Sequence, residues 1–89
     1  MNYFDTLKVI DQILEDHPAL YERTARNMLN SIATGIRVMN RFNSDQHEEW
    51  RCANYLYCDA CNKLRQRIDH FDAYAIIDRI KNVVDSEIL

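Results

Sequence analysis

The chain holds a single glycine and a single proline in 89 residues. So few turn formers exclude a many-stranded β fold, which would need a turn signal every ~8–12 residues. They also exclude a glycine-built phosphate cradle of the usual kind. No apolar run approaches the ~18 residues of a membrane span, and the start "MNYFDTLKVI" lacks the basic-then-apolar order of a secretory signal. The expected setting is cytoplasmic, away from any membrane. Cysteines are few and odd in number, three, which fits reduced thiols better than a disulfide framework. Cationic residues are in deficit, 11 Lys and Arg against 14 Asp and Glu, for a net charge of -3. General nucleic-acid binders are usually strongly basic, so this balance argues mildly against that class without excluding a local basic patch.

What remains is 47% hydrophobic and 28% charged, a composition that folds and is too short for more than one core. One helical domain over residues 1–89 is expected. From Tyr3 to His17, Tyr3, Leu7, Ile10 and Leu14 recur at helical spacing, with Asp5, Lys8, Gln12 and Glu15 opposite. Pro18, after Asp16 and His17, suits a first helical position. A second helix is therefore expected from Pro18 to about Phe42, with Tyr21, Ala25, Met28, Leu29, Ile32, Ile36, Met39 and Phe42 as its stripe. Asp45 and Glu48 have the form of a capping box, predicting a third helix from about Gln46 to Asp69 with Trp50, Ala53, Tyr57, Ala60, Leu64 and Ile68 inward. At "RIDHFDA" Asp69 or Asp72 either caps a new helix or sits within a bent one, and the last segment, to about Ser86, turns Ala73, Ile76, Ile77, Ile80, Val83 and Val84 to one side.

The pattern predicts an all-α antiparallel bundle of four helices, the middle two long. Two long helices overhang two short ones unless they bend or find a partner, so a homodimer stays open beside a monomer. Gly35, inside the long second helix, costs ~1 kcal/mol of helix propensity, and close approach of another helix is the reason expected for it.

Chemistry concentrates in "YLYCDACNKLRQRIDH", residues 55–70. At helical angles Cys52, Cys58 and Cys61 do not converge, and a structural zinc site needs four ligands about one point. Redox use of Cys-x-x-Cys places its first cysteine at a helix N-terminus after a strand, which is not the setting here. Cys61 is therefore expected as a small core-edge hydrophobe and Cys58 as a partly exposed thiol, with no metal and no cofactor. Arg65 and His70 match the R-x4-H spacing that the helical HEPN ribonucleases use for RNA cleavage; the match covers those two positions only, and an outward arginine with a helix-end histidine is the favoured reading. His17 is expected to meet carbonyls at the end of the first helix. No Ser/His/Asp order or paired-carboxylate site stands out, and the chain is expected not to be an enzyme.

One surface is patterned. On the second helix Arg23, Arg26, Arg37 and Arg41 point away from the apolar stripe, with Asn27, Asn30 and Thr34 among them, in a ridge about 27 Å long. Such a ridge either meets a partner or is an outer face whose arginines pair with acids such as Asp11, Glu15, Glu48 or Glu49, the more common arrangement. Tyr55 and Tyr74 fall on outer faces, where tyrosine is enriched at interfaces. The expectation is a small non-catalytic protein-binding module, an inhibitor or adaptor occupying a larger protein or complex, through an acidic surface of that partner. Arg23, Arg26, Asn30, Arg37, Arg41, Tyr55 and Tyr74 are the candidate contacts. Size and the lack of catalytic motifs also fit the accessory proteins that viruses and mobile elements direct at host machinery. The alternative is a nucleic-acid-binding protein using the arginine ridge, with RNA cleavage by Arg65 and His70 the less favoured form of it.

Overall fold

The structure is a computed structural model and describes residues 3–20 and 23–87. Four helices pack antiparallel: α1 (Tyr3–Asp16), α2 (Arg23–Phe42), α3 (Glu48–Arg65) and α4 (His70–Ser86). The middle two are the longest, at 20 and 18 residues, but α4 with 17 nearly matches them. Of the two outer helices, α1, with 14 residues, is the clearly shorter one. The Cα radius of gyration, 12.6 Å, is close to the ~12 Å of a compact chain of this length.

α3 lies mainly along α2, whereas α4 packs on both α1 and α2. The core is aliphatic. Ile10, Ile13, Leu20, Leu29, Ile32, Leu64, Ile76 and Ile80 are wholly buried, with Ala25, Ala33, Ala60 and Ala73 where backbones come near. α4 buries all six residues of its predicted stripe. Gly35 is where α2 and α3 come closest: a methyl added there would stand 2.9 Å from the Tyr57 Cβ and 3.1 Å from the Ala53 carbonyl oxygen. That is the close helix approach its position called for.

Several local expectations are corrected. Pro18 opens a 3-10 turn, Pro18–Leu20, rather than α2, which begins at Arg23; the expected stripe residue Tyr21 lies outside the described residues. Proline suits the start of either helix type, so its presence did not distinguish them. The capping box does not form: the N-cap of α3 is His47, without a side-chain cap hydrogen bond, and Asp45 precedes it in the turn. The chain reverses at Asn43, whose φ of 45° lies in the left-handed region that asparagine tolerates better than most residues. Ser44 Oγ accepts from the Gln46 N–H there. α3 ends at Arg65 rather than Asp69, and Asp69 caps α4 by accepting from the Phe71 N–H at 3.1 Å.

The face of α1 is also rotated from the one expected. Thr6, Ile10 and Ile13 are buried, while Leu7 and Leu14 are half-buried and Tyr3 is exposed. Ile10 and Ile13 supply the apolar part of that face, and Thr6 is satisfied within it by donating its hydroxyl to the carboxylate of Glu87, just past the end of α4.

Candidate functional site

The four arginines of the α2 ridge differ in their surroundings. Arg26 pairs with Asp11 of α1 across an exposed contact, and Arg37 forms a fork on Glu87, Nε to Oε2 at 2.7 Å and Nη2 to Oε1 at 2.9 Å. The Arg37 guanidinium also lies 5.0 Å from the centre of the Tyr3 ring. Arg23 and Arg41 are exposed, Asn30 is half-buried, and Asn27 and Thr34 are exposed between them. Arg26 and Arg37 thus stand on the flank of α2 that faces α1 and the end of α4. Arg41 lies on the outer face, and Arg23 is exposed beside Arg26 where α2 meets α1. The Asp11 pairing is one of those expected; Glu87 is a partner that sequence spacing could not find.

Glu87 is held well below the usual glutamate range, first by its hydrogen bond to Arg37 and then by that to Thr6, against a burial effect of opposite sign. The same hydrogen bond raises the Arg37 pKa. Two residues back, Asp85 accepts from Asn40 at 2.7 Å and from Lys81 at 2.8 Å, and the Lys81 contact is the main cause of its lowered pKa. Arg23 and Arg26 also line an open groove of about 800 Å³ between α1 and α2, with Asp11 and Glu15 opposite and Leu14, Pro18 and Leu20 on its floor.

A second constellation lies at the α3–α4 corner. Tyr74, half-exposed on the first turns of α4, receives His70 edge-on at 4.6 Å between ring centres. Arg65, the last residue of α3, places its guanidinium 5.3 Å from the centre of the same ring and donates from Nη1 to Asn62 Oδ1 at 3.0 Å. The Arg65 Nε is shielded from solvent and has no hydrogen-bond partner. Beside them Phe71 is 81% exposed. Arg65 and His70 therefore do come together, on Tyr74. His70 to Tyr74 is an i, i+4 pair that the α4 pattern contained; the approach of Arg65 depends on how α3 and α4 meet. Phe71 escaped the sequence reading, although it lies opposite the Ala73–Ile76–Ile80 stripe and so was identifiable as an outward aromatic. Tyr55, 77% exposed, stands on the outer face of α3.

The cysteines separate as expected: Cys61 is buried, and Cys52 and Cys58 are exposed. Burial pushes the Cys61 thiol pKa up, and burial is also the main reason that the half-buried Tyr57 phenol rises to about 12. Both shifts make the groups less reactive at neutral pH. His17 closes α1, its N–H on the Ile13 carbonyl and its own carbonyl accepting from Leu20. Among the described residues no three His, Cys, Asp or Glu side chains are grouped to hold a metal ion, and no helix is long and apolar enough to cross a membrane.

No family model, curated protein or solved structure matches the chain.

Proposed function

We propose that this chain is a non-catalytic protein-binding module of the inhibitor or adaptor kind, which occupies a surface of a larger partner through the α3–α4 corner. The observation that carries this reading is the exposure of Phe71 and Tyr74 side by side, next to Arg65; of the large apolar side chains exposed among the described residues, the others being Tyr3, Phe4, Tyr55 and Leu56, Phe71 is the most exposed. Aromatic side chains and arginine supply most of the energy at protein interfaces, because each offers a large contact area at low entropic cost. Tyr74 is fixed in advance by His70 and Arg65, which lowers that cost further. Tyr55 extends the surface along α3.

The test is capture from a lysate by tagged protein at two salt concentrations, with and without nuclease, comparing wild type with Phe71→Ala/Tyr74→Ala. One protein or complex retained by wild type at both salts, insensitive to nuclease and lost with the double variant, is the expected result. Retention that ignores the double variant would remove the corner from the reading.

Nucleic acid is the second reading, and the same corner favours it: single-strand binders stack bases on exposed aromatic rings beside arginines. Its mark would be retained nucleic acid that falls away steeply with salt. The acidic net charge makes it the lesser reading. Cleavage by Arg65 and His70 would become worth testing only on that outcome.

A further inference from the structure

Thr6 is the one buried polar side chain among the described residues, and its hydroxyl serves a carboxylate. With it stand the fork of Arg37 and the Tyr3 ring under that guanidinium. Together they supply what carboxylate recognition requires: two parallel N–H donors, a third donor from a fixed hydroxyl, and an aromatic face that orients the cation. The carboxylate now bound belongs to Glu87, which is the C-cap residue of α4. Helix ends open more readily than helix middles, since their last carbonyls and side chains are held by few neighbours. Among the described residues the last turn of α4 is tied to α2 by two polar contacts, Asp85 on Asn40 and Glu87 on Arg37, while Val83 and Val84 of that turn pack in the core.

The same flank of α2 takes a carboxylate at Arg26, from Asp11. Carboxylate is thus the ligand that this surface already selects, at both of its occupied positions. Arg41 lies one helical turn beyond Arg37 and is exposed, so departure of Glu87 would leave two guanidinium groups about 6 Å apart at their Cβ atoms.

We propose that Thr6, Arg37 and Tyr3 form a carboxylate-binding notch, that Glu87 is its internal occupant, and that an acidic protein segment displaces Glu87 to bind Arg37 and Arg41 when the last turn of α4 opens. The contact is an autoinhibitory one: the end of α4 keeps Arg37 occupied, beside the exposed Arg41, until a partner richer in carboxylates competes. It stands on α2 and the end of α4, at the other end of that helix from the aromatic corner, so the two proposals fail separately.

The test is fluorescence anisotropy with a labelled hexaglutamate peptide and, in parallel, a labelled twelve-nucleotide oligothymidylate. Wild type is compared with Glu87→Gln, with Glu87→Gln/Arg37→Gln, and with Asp78→Asn, which makes the same change in net charge elsewhere on α4. Glu87→Gln should bind hexaglutamate about fivefold tighter than wild type or better, the lower end of coupling between linked sites. The double variant should lose that gain and Asp78→Asn should not show it. A gain that survives Arg37→Gln, an equal gain in Asp78→Asn, or no gain at all would overturn the notch. A gain confined to the oligonucleotide would overturn the acidic protein as its occupant. Should Glu87→Gln fail to fold, Asn40→Ala loosens the same turn without touching Thr6, Arg37 or Glu87. It should show a smaller gain in the same direction, and its absence in folded protein would overturn the proposal equally.

Discussion

Gly35 of α2 and Tyr57 of α3 are so close that a side chain at residue 35 has no space: an added Cβ would stand 2.9 Å from the Tyr57 Cβ and 3.3 Å from its Cα. The atoms in the way are backbone or attached directly to it, so no rotamer change relieves the contact. Gly35→Ala recovers ~1 kcal/mol of helix propensity but forces the helices apart at an overpacking cost of about 1–3 kcal/mol. A net loss of about 1 kcal/mol is expected, with a larger one for Gly35→Val, read from urea midpoints at unchanged slope. A stabilised Gly35→Ala would mean that α2 and α3 do not approach as described.

The clamp on Glu87 makes stability depend on pH with a definite sign. Its folded pKa lies below that of an ordinary glutamate, so its contribution is complete above about pH 4.3 and is lost as pH falls through the depressed folded value. Glu87→Gln should therefore cost about 1–2 kcal/mol near neutral pH, and the gap in Tm from wild type should close below about pH 4. Asp85, lowered by Lys81 and Asn40, has the same sign, so the variant retains part of the acid sensitivity. A gap independent of pH down to pH 3 would rule out the charged clamp.

Asp69 caps α4 and Asp45 does not cap α3. Asp69→Ala should accordingly cost ~1 kcal/mol, the usual value of a lost N-cap, while Asp45→Ala should change stability by less than about 0.5 kcal/mol. Equal costs in thermal melts would restore the capping box.

Phe71 and Tyr74 contribute to binding in the reading offered above and little to folding. With Phe71 81% exposed, Phe71→Ala should leave the Tm nearly unchanged, within about 0.5 kcal/mol. A large destabilisation would show the ring to be part of the packing and remove it as a free anchor.

Thiol accessibility follows burial. Ellman's reagent should titrate Cys52 and Cys58 in the native protein, and Cys61 only on unfolding, because its thiol is both buried and raised in pKa. Rapid reaction at all three would mean that the third helix opens on the time scale of the assay.

What the sequence by itself determined is what depends on neighbours within a turn or two. Helix periodicity placed the four elements, the buried face of α4 and the division of Cys61 from Cys58, because a side chain's direction on a helix follows from its position alone. Gly35 was legible as a close approach for the same reason: a glycine inside a helix is unfavourable unless something needs its missing side chain. Whether Pro18 opened a helix or a 3-10 turn was not decided locally, since both accept proline first. Tertiary structure alone decided which contacts the polar groups make. Thr6, on the buried face with Ile10 and Ile13, is satisfied there by Glu87, 81 residues away. Arg37 left the ridge for the same carboxylate, and Arg65 met His70 on Tyr74 because of the way α3 and α4 join. Polar pairs three or four residues apart, such as Lys81 with Asp85, follow from the helix's own spacing, but for Thr6, Arg26 and Arg37 the partner comes from another element and is set by how the helices pack.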